Sequence, residues 1–133
     1  MERDLQPHAD LLLKFPEFDK EFAKLLLEFL ESKGPATFAE LESCLVELCV
    51  KDGDAGYEWT IGASNVVIWS NFTYKAICTL VHLRKSEIIE LDPCPSLYYL
   101  MDGLMSRYPV AKRPPSNGYT KPHWMPTVLK IKK

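Results

Sequence analysis

Seven lysine and arginine side chains with no carboxylate among them can neutralise a polyanion, and the end of this chain supplies them. Arg107, Lys112, Arg113, Lys121, Lys130, Lys132 and Lys133 all follow Asp102, the last acidic residue. The other nine of the 16 Lys and Arg residues precede it, as the remaining members of a set of 18 Asp and Glu do. The net charge of −2 therefore divides into about −9 for the body and about +7 for the tail. Tyr108, Tyr119, His123 and Trp124 are interleaved with these cations, a composition that suits tracking phosphates and stacking on bases. The same charges also suit a tail folded back onto the acidic body, with Trp124 and Met125 filling a groove in its core.

Catalytic chemistry has a thinner inventory. His8, His82 and His123 stand far apart with no adjoining signature, and there is no Gly-rich phosphate loop, G-x-S-x-G or paired-histidine motif. The cysteines at 44, 49, 78 and 94 form no C-x-x-C pair, the spacing with which structural zinc closes a tight knuckle. Cys44, Cys49 and Cys78 fall in predicted helices and are expected to be small buried hydrophobes in a reducing compartment. Cys94 sits between two prolines, as either a structural turn cysteine or a reactive thiol. No enzyme, metal or cofactor is expected.

The positioning elements follow from patterning. At 133 residues, 47% hydrophobic and 26% charged, the chain is one domain able to bury a core without staples. Its apolar runs, such as Val66–Trp69, are too short to span a bilayer. Residues 1–14 carry Glu2, Asp4 and Asp10 without a cleavage pattern, which argues for a cytoplasmic chain and no membrane partner.

From Pro16 to Gly34 the spacing of Phe18, Phe22, Leu25, Leu26, Phe29 and Leu30 predicts a long helix stopped by Gly34-Pro35. Thr37 and Glu40 read as a capping box opening a second helix, with Phe38, Leu41, Leu45 and Leu48 on one face and Asp52-Gly53 at its end. Residues 53–64 read as a loop with a short edge strand over Glu58–Ile61. Asn65–Trp69 reads as a buried strand. Ser70 or Asn71 is expected to cap a third helix over Phe72–Lys85, apolar at Ala76, Ile77, Leu80, Val81 and Leu83 and polar at Lys75, Thr79, His82 and Ser86. Glu87–Leu91 and Leu97–Met101 read as a hairpin around Asp92–Ser96. Prolines 109, 114, 115, 122 and 126 favour extended backbone, and Thr127–Lys132 a last strand.

Helix, helix, strand, helix, hairpin resembles the order of the winged-helix superfamily over roughly Gly34 to Asp102. Its best part is Thr73–Leu100, a helix with a small polar face followed by K-S-E-I-I-E-L, a turn and L-Y-Y-L. Two features depart from that pattern. The stretch between the second and third helices runs from about Val50 to Asn71, and the predicted strand precedes the third helix instead of separating the first two.

The expectation is thus one α+β domain: a lead over 1–14, a winged-helix-like body over 15–102 and an extended basic arm over 103–133. The resemblance implies non-enzymatic, regulatory DNA binding. Groove contacts would come from Lys75, Thr79, His82 and Lys85, and phosphate contacts from Lys112, Arg113, Lys121, Lys130 and Lys132. A homodimer through the first long helix belongs to this reading. The alternative is a small module that holds a protein partner and no nucleic acid.

Overall fold

A carboxylate starts the first helix. The computed structural model describes residues 17–45, 49, 55–61, 65–102, 106, 108–111 and 121–132. Asp19 caps α1 (Lys20–Lys33) by accepting the Phe22 N–H at 3.1 Å, which satisfies one donor that the first turn leaves orphaned. Phe22, Ala23, Leu26, Leu27 and Leu30 are buried along the predicted stripe, with Phe18 and Phe29 at its margin. Gly34 ends the helix at φ +92°, where a side chain is disfavoured, and donates its N–H to the Leu30 carbonyl at 2.8 Å. Pro16 lies outside the described residues.

The capping box forms as the sequence predicts. After the two-residue strand β1 (Ala36–Thr37), α2 (Phe38–Cys44) begins with the Thr37 hydroxyl accepting the Glu40 N–H at 3.1 Å. Glu40 accepts the Thr37 N–H at 3.3 Å in return. Phe38 and Leu41 are buried. Leu48 and Asp52-Gly53 lie outside the described residues. Cys49 is buried, whereas Cys44 is exposed, contrary to expectation, because it sits on the outer side of this short helix.

The stretch read as a loop is a full strand, β2 (Ala55–Ile61), in an antiparallel hairpin with β3 (Val66–Thr73). β3 runs four residues past Trp69 because the chain carries Asn71 at φ +65°, a left-handed residue that asparagine tolerates, inside an irregular register and resumes its pairing at Phe72 and Thr73. Thr73 caps α3 (Tyr74–Lys85) instead of Ser70 or Asn71, its hydroxyl accepting the Ala76 N–H at 3.1 Å. At the far end Ile88 N–H bonds to Leu83 O and Glu87 N–H to Arg84 O, both at 3.0 Å, with Glu87 at φ +62°. That crossed pair is a Schellman closure with glutamate where glycine is usual.

The expected local hairpin is not formed. β4 (Ile89–Pro93) pairs antiparallel with β6 (Thr127–Ile131), and β6 pairs with β1, giving a sheet in the order β1-β6-β4. Leu97–Asp102 is instead a short helix, α4. β5 (His123–Trp124) lies parallel to β3, completing a second sheet in the order β2-β3-β5, and Val110 bridges its outer side. The described residues are therefore mixed α and β, with four helices and two small sheets.

An aromatic cluster joins these layers. Tyr99 stands edge-on to Trp124 with centroids 4.8 Å apart, Trp69 lies 5.2 Å from Tyr99, and Phe38 packs against Trp59, Trp69 and Phe72. Such offset and edge-to-face contacts contribute beyond the area they bury. Trp124 is fully buried and Met125 packs beside the core. This part of the basic arm is folded back.

Candidate functional site

The third helix opens less of its polar side than its sequence suggests. Lys75 and Lys85 are exposed. Thr79 and His82 are 0% and 3% exposed, because the approach to α1 lies over them. The Thr79 hydroxyl accepts the Asp19 N–H at 2.9 Å and donates to the Lys75 carbonyl at 2.8 Å. The His82 ring meets Phe18 edge-on at 4.8 Å. Neither side chain reaches an outside ligand in this conformation, so the four expected groove contacts reduce to two lysines.

The arm divides in the same way. Lys121 is exposed, and Lys112 and Arg113 lie outside the described residues. Lys130 pairs with Asp92 at 2.6 Å and Glu90 at 3.2 Å, and Lys132 with Glu87 at 2.7 Å. Lys130 sits on β6 directly across from Glu90 of the acidic β4, as the register Glu90↔Lys130 requires, and Lys132 follows just past the end of that strand. Hydrogen bonding to Asp92 and then Glu90 holds Lys130 above its ordinary value, and the Glu87 bond does the same for Lys132. The reciprocal bond from Lys132 lowers Glu87. Farther back along the arm, the Tyr108 hydroxyl donates to Glu58 on β2.

Thiol and imidazole chemistry finds no assembled site among the described residues. Burial pushes the Cys49 thiol up to about 12, with the Glu42 charge adding to it, and burial also raises Cys78 and Cys94. These three are held as thiols rather than nucleophilic thiolates. His123 Nδ1 lies 2.9 Å from the Lys121 carbonyl oxygen, His82 is packed inside, and His8 is outside the described residues. Among the described residues no group of three or more His, Cys, Asp and Glu side chains is placed to hold a metal ion, and no helix is long and apolar enough to cross a membrane.

A cleft of about 470 Å³ opens where the end of α1 meets the first sheet. Leu30, Pro35 and Ile131 form its apolar lining, with Glu31, Glu90 and Lys130 at its polar edge. Lys130 is already committed to Glu90 and Asp92. The outer side of α1 is charged at Lys20, Glu21, Lys24, Glu28, Glu31 and Lys33, all exposed.

Among the described residues, four of the exposed large hydrophobic side chains lie together on α4. Leu97, Tyr98, Leu100 and Met101 are 56%, 49%, 62% and 77% exposed, while Tyr99 turns inward and is fully buried. At about 100° per residue the four exposed side chains span an arc of roughly 160°. An arc that wide and that apolar is the pattern of a core-facing helix. Here it faces out. One hydroxyl holds the helix in place: Tyr99 accepts the Phe38 N–H at 3.0 Å and donates to the Thr127 carbonyl at 2.6 Å, both in buried surroundings. The sequence reading as a strand hid this face, although Ser96 before an unbroken L-Y-Y-L-M is a helix-start signal. Comparison with protein-family models, with curated proteins and with solved structures gives no match.

Proposed function

We propose that this chain is a non-enzymatic interaction module on a winged-helix-like scaffold, and that it holds a protein partner on the outer face of α4. The scaffold reading is supported by β1 between the first two helices, and by α3 leading directly into an antiparallel pair, β4 with β6. The β2–β3 hairpin and the stretch from Cys94 to Pro126 are additions to that plan. The observation that carries the function is the four-residue apolar face of α4. The larger apolar patches of a folded protein are often functional, and the four exposed side chains Leu97, Tyr98, Leu100 and Met101 are uncharged.

The pairing of Lys130 and Lys132 with body carboxylates supports the same reading, since those two cations are occupied internally. DNA binding is the second reading, favoured by exposed Lys75 and Lys85 on α3 and Lys121 on the arm. A photo-reactive phenylalanine analogue at Tyr98, with another at Lys75, separates the two in living cells. Position 98 is expected to give a discrete protein adduct, and position 75 neither protein nor nucleic acid. Adducts with nucleic acid from position 75, and none with protein from position 98, would reverse the assignment. Salt-sensitive binding of duplex DNA by the purified chain, lost on Lys75→Ala and Lys85→Ala, would do the same.

A further inference from the structure

We infer that the cleft where α1 ends against the first sheet binds a linear aliphatic polyamine, a chain of methylenes with an ammonium group toward each end. The inference is independent of what the α4 face holds. The cleft has a volume of about 470 Å³. That falls in the range of small-molecule sites, from about 300 to about 1,000 Å³. Its rim and its floor call for different chemistry, and a polyamine supplies both.

The rim is negative for three reasons. Glu31 reaches the cleft from α1 and Glu90 from β4, so each wall supplies a carboxylate. The helix itself ends there at Gly34, and the last carbonyls of a 14-residue helix place about half a negative charge at that end. The cations nearby are matched. Lys33 holds Glu40 at 2.7 Å while its ammonium reaches the Pro35 carbonyl at 3.4 Å. Lys130 lies 2.6 Å from Asp92 but 3.2 Å from Glu90, so Asp92 is its closer partner, and the two carboxylates outweigh it by one charge. A carboxylate accepts several donors at once, so Glu31 and Glu90 can each take an ammonium beside the bonds they already make.

The floor is apolar, formed by Leu30, Pro35 and Ile131. Methylene chains lie along such a surface while their charged ends stay in water. A bare metal ion would leave that floor unused, and among the described residues no group of three or more His, Cys, Asp and Glu side chains is placed to hold one. A ligand carrying a carboxylate meets like charge at the rim. An aliphatic chain with cationic ends satisfies the floor and both walls together.

Amide-shift titrations of the full chain test it, with cadaverine as the diamine, glutarate as the diacid of equal length and Mg²⁺ as a dication without methylenes. Cadaverine should shift residues 30–34, 89–91 and 130–131 and saturate at about millimolar concentration, as suits a ligand of so few atoms. Glutarate should leave those residues unmoved, and Mg²⁺ should not reproduce the pattern. These three titrations need no variant. Glu31→Gln/Glu90→Gln should weaken cadaverine about tenfold, the worth of two exposed ion pairs. Glu17→Gln/Glu21→Gln removes the same charge at the other end of α1 and should leave the affinity unchanged. Shifts that never saturate, the same shifts with Mg²⁺, or equal weakening in both double variants overturns the inference.

Discussion

Helices α1 and α4 use similar residues to opposite ends. α1 turns Phe22, Leu26, Leu27 and Leu30 inward and surrounds them with charge on its outer side. α4 turns one tyrosine inward and leaves two leucines, a tyrosine and a methionine outside. Packing holds the first, and a buried phenol with two hydrogen bonds holds the second. A helix fixed by area resists the loss of any one contact only as far as its core does. A helix fixed through one buried aromatic side chain, by its ring and its hydroxyl, leaves the rest of its surface free for another use.

Truncation should show this contrast most strongly. Leu26→Ala is expected to cost about 2–5 kcal/mol through lost transfer energy and an unfilled cavity. Leu100→Ala should change stability by less than about 0.5 kcal/mol, because it removes atoms that already face water. Chemical denaturation of both variants measures the ratio, and comparable losses would break the comparison.

Tyr99→Phe comes next. It keeps the ring but strips the hydroxyl, leaving the Phe38 N–H and one lone-pair direction of the Thr127 carbonyl buried and unpaired, at about 2–3 kcal/mol. Hydrogen exchange should show faster opening of residues 97–102 than of α1.

Charge gives the smaller tests. Burial raises Glu42 above its ordinary 4.5, outweighing the bond it accepts from Trp69 Nε1–H at 3.4 Å. Its contribution to stability is full below that value and is lost as pH rises through the folded pKa. Glu42→Gln should therefore gain on the wild type as pH rises from about 4 to about 7, an effect kept small by solvent screening of this half-exposed group. Glu87 runs the other way. Its pKa is lowered by Lys132, so its contribution is present above the ordinary value and fades as pH falls through the folded one. Glu87→Gln should flatten only the acid limb of a stability–pH curve, and about 1 M salt should erase the difference.

Elements set by local chemistry were legible in the sequence. The stripe of α1, its stop at Gly34 and the Thr37–Glu40 box each depend on residues a turn apart. The last strand, which begins at Thr127 as expected, was legible in its own short run of strand-forming residues, though not in its partners. What the sequence hid depends on distant partners. Leu97–Met101 is a short apolar run that suits a strand as well as a helix, and the Tyr99 that anchors it meets Phe38 and Thr127, which are remote in sequence. β4 was matched to its neighbour when its partner lies past residue 126. Thr79 and His82 occupy the polar side of α3 by spacing, and only the path of Phe18 and Asp19 across them closes that side. The arm's return to the body with Trp124 in the core was one of the two geometries its composition allowed, whereas the turn of Lys130 and Lys132 toward Glu87, Glu90 and Asp92 was not legible.

That turn has a consequence for how the molecule is sensed from afar. Paired strands lie about 4.8 Å apart, which is less than the roughly 8 Å over which physiological salt screens a charge. The two positive charges of Lys130 and Lys132 are therefore outweighed within that distance by the three negative charges of Glu87, Glu90 and Asp92. A diffusing polyanion meets this patch as slightly negative rather than as a source of attraction.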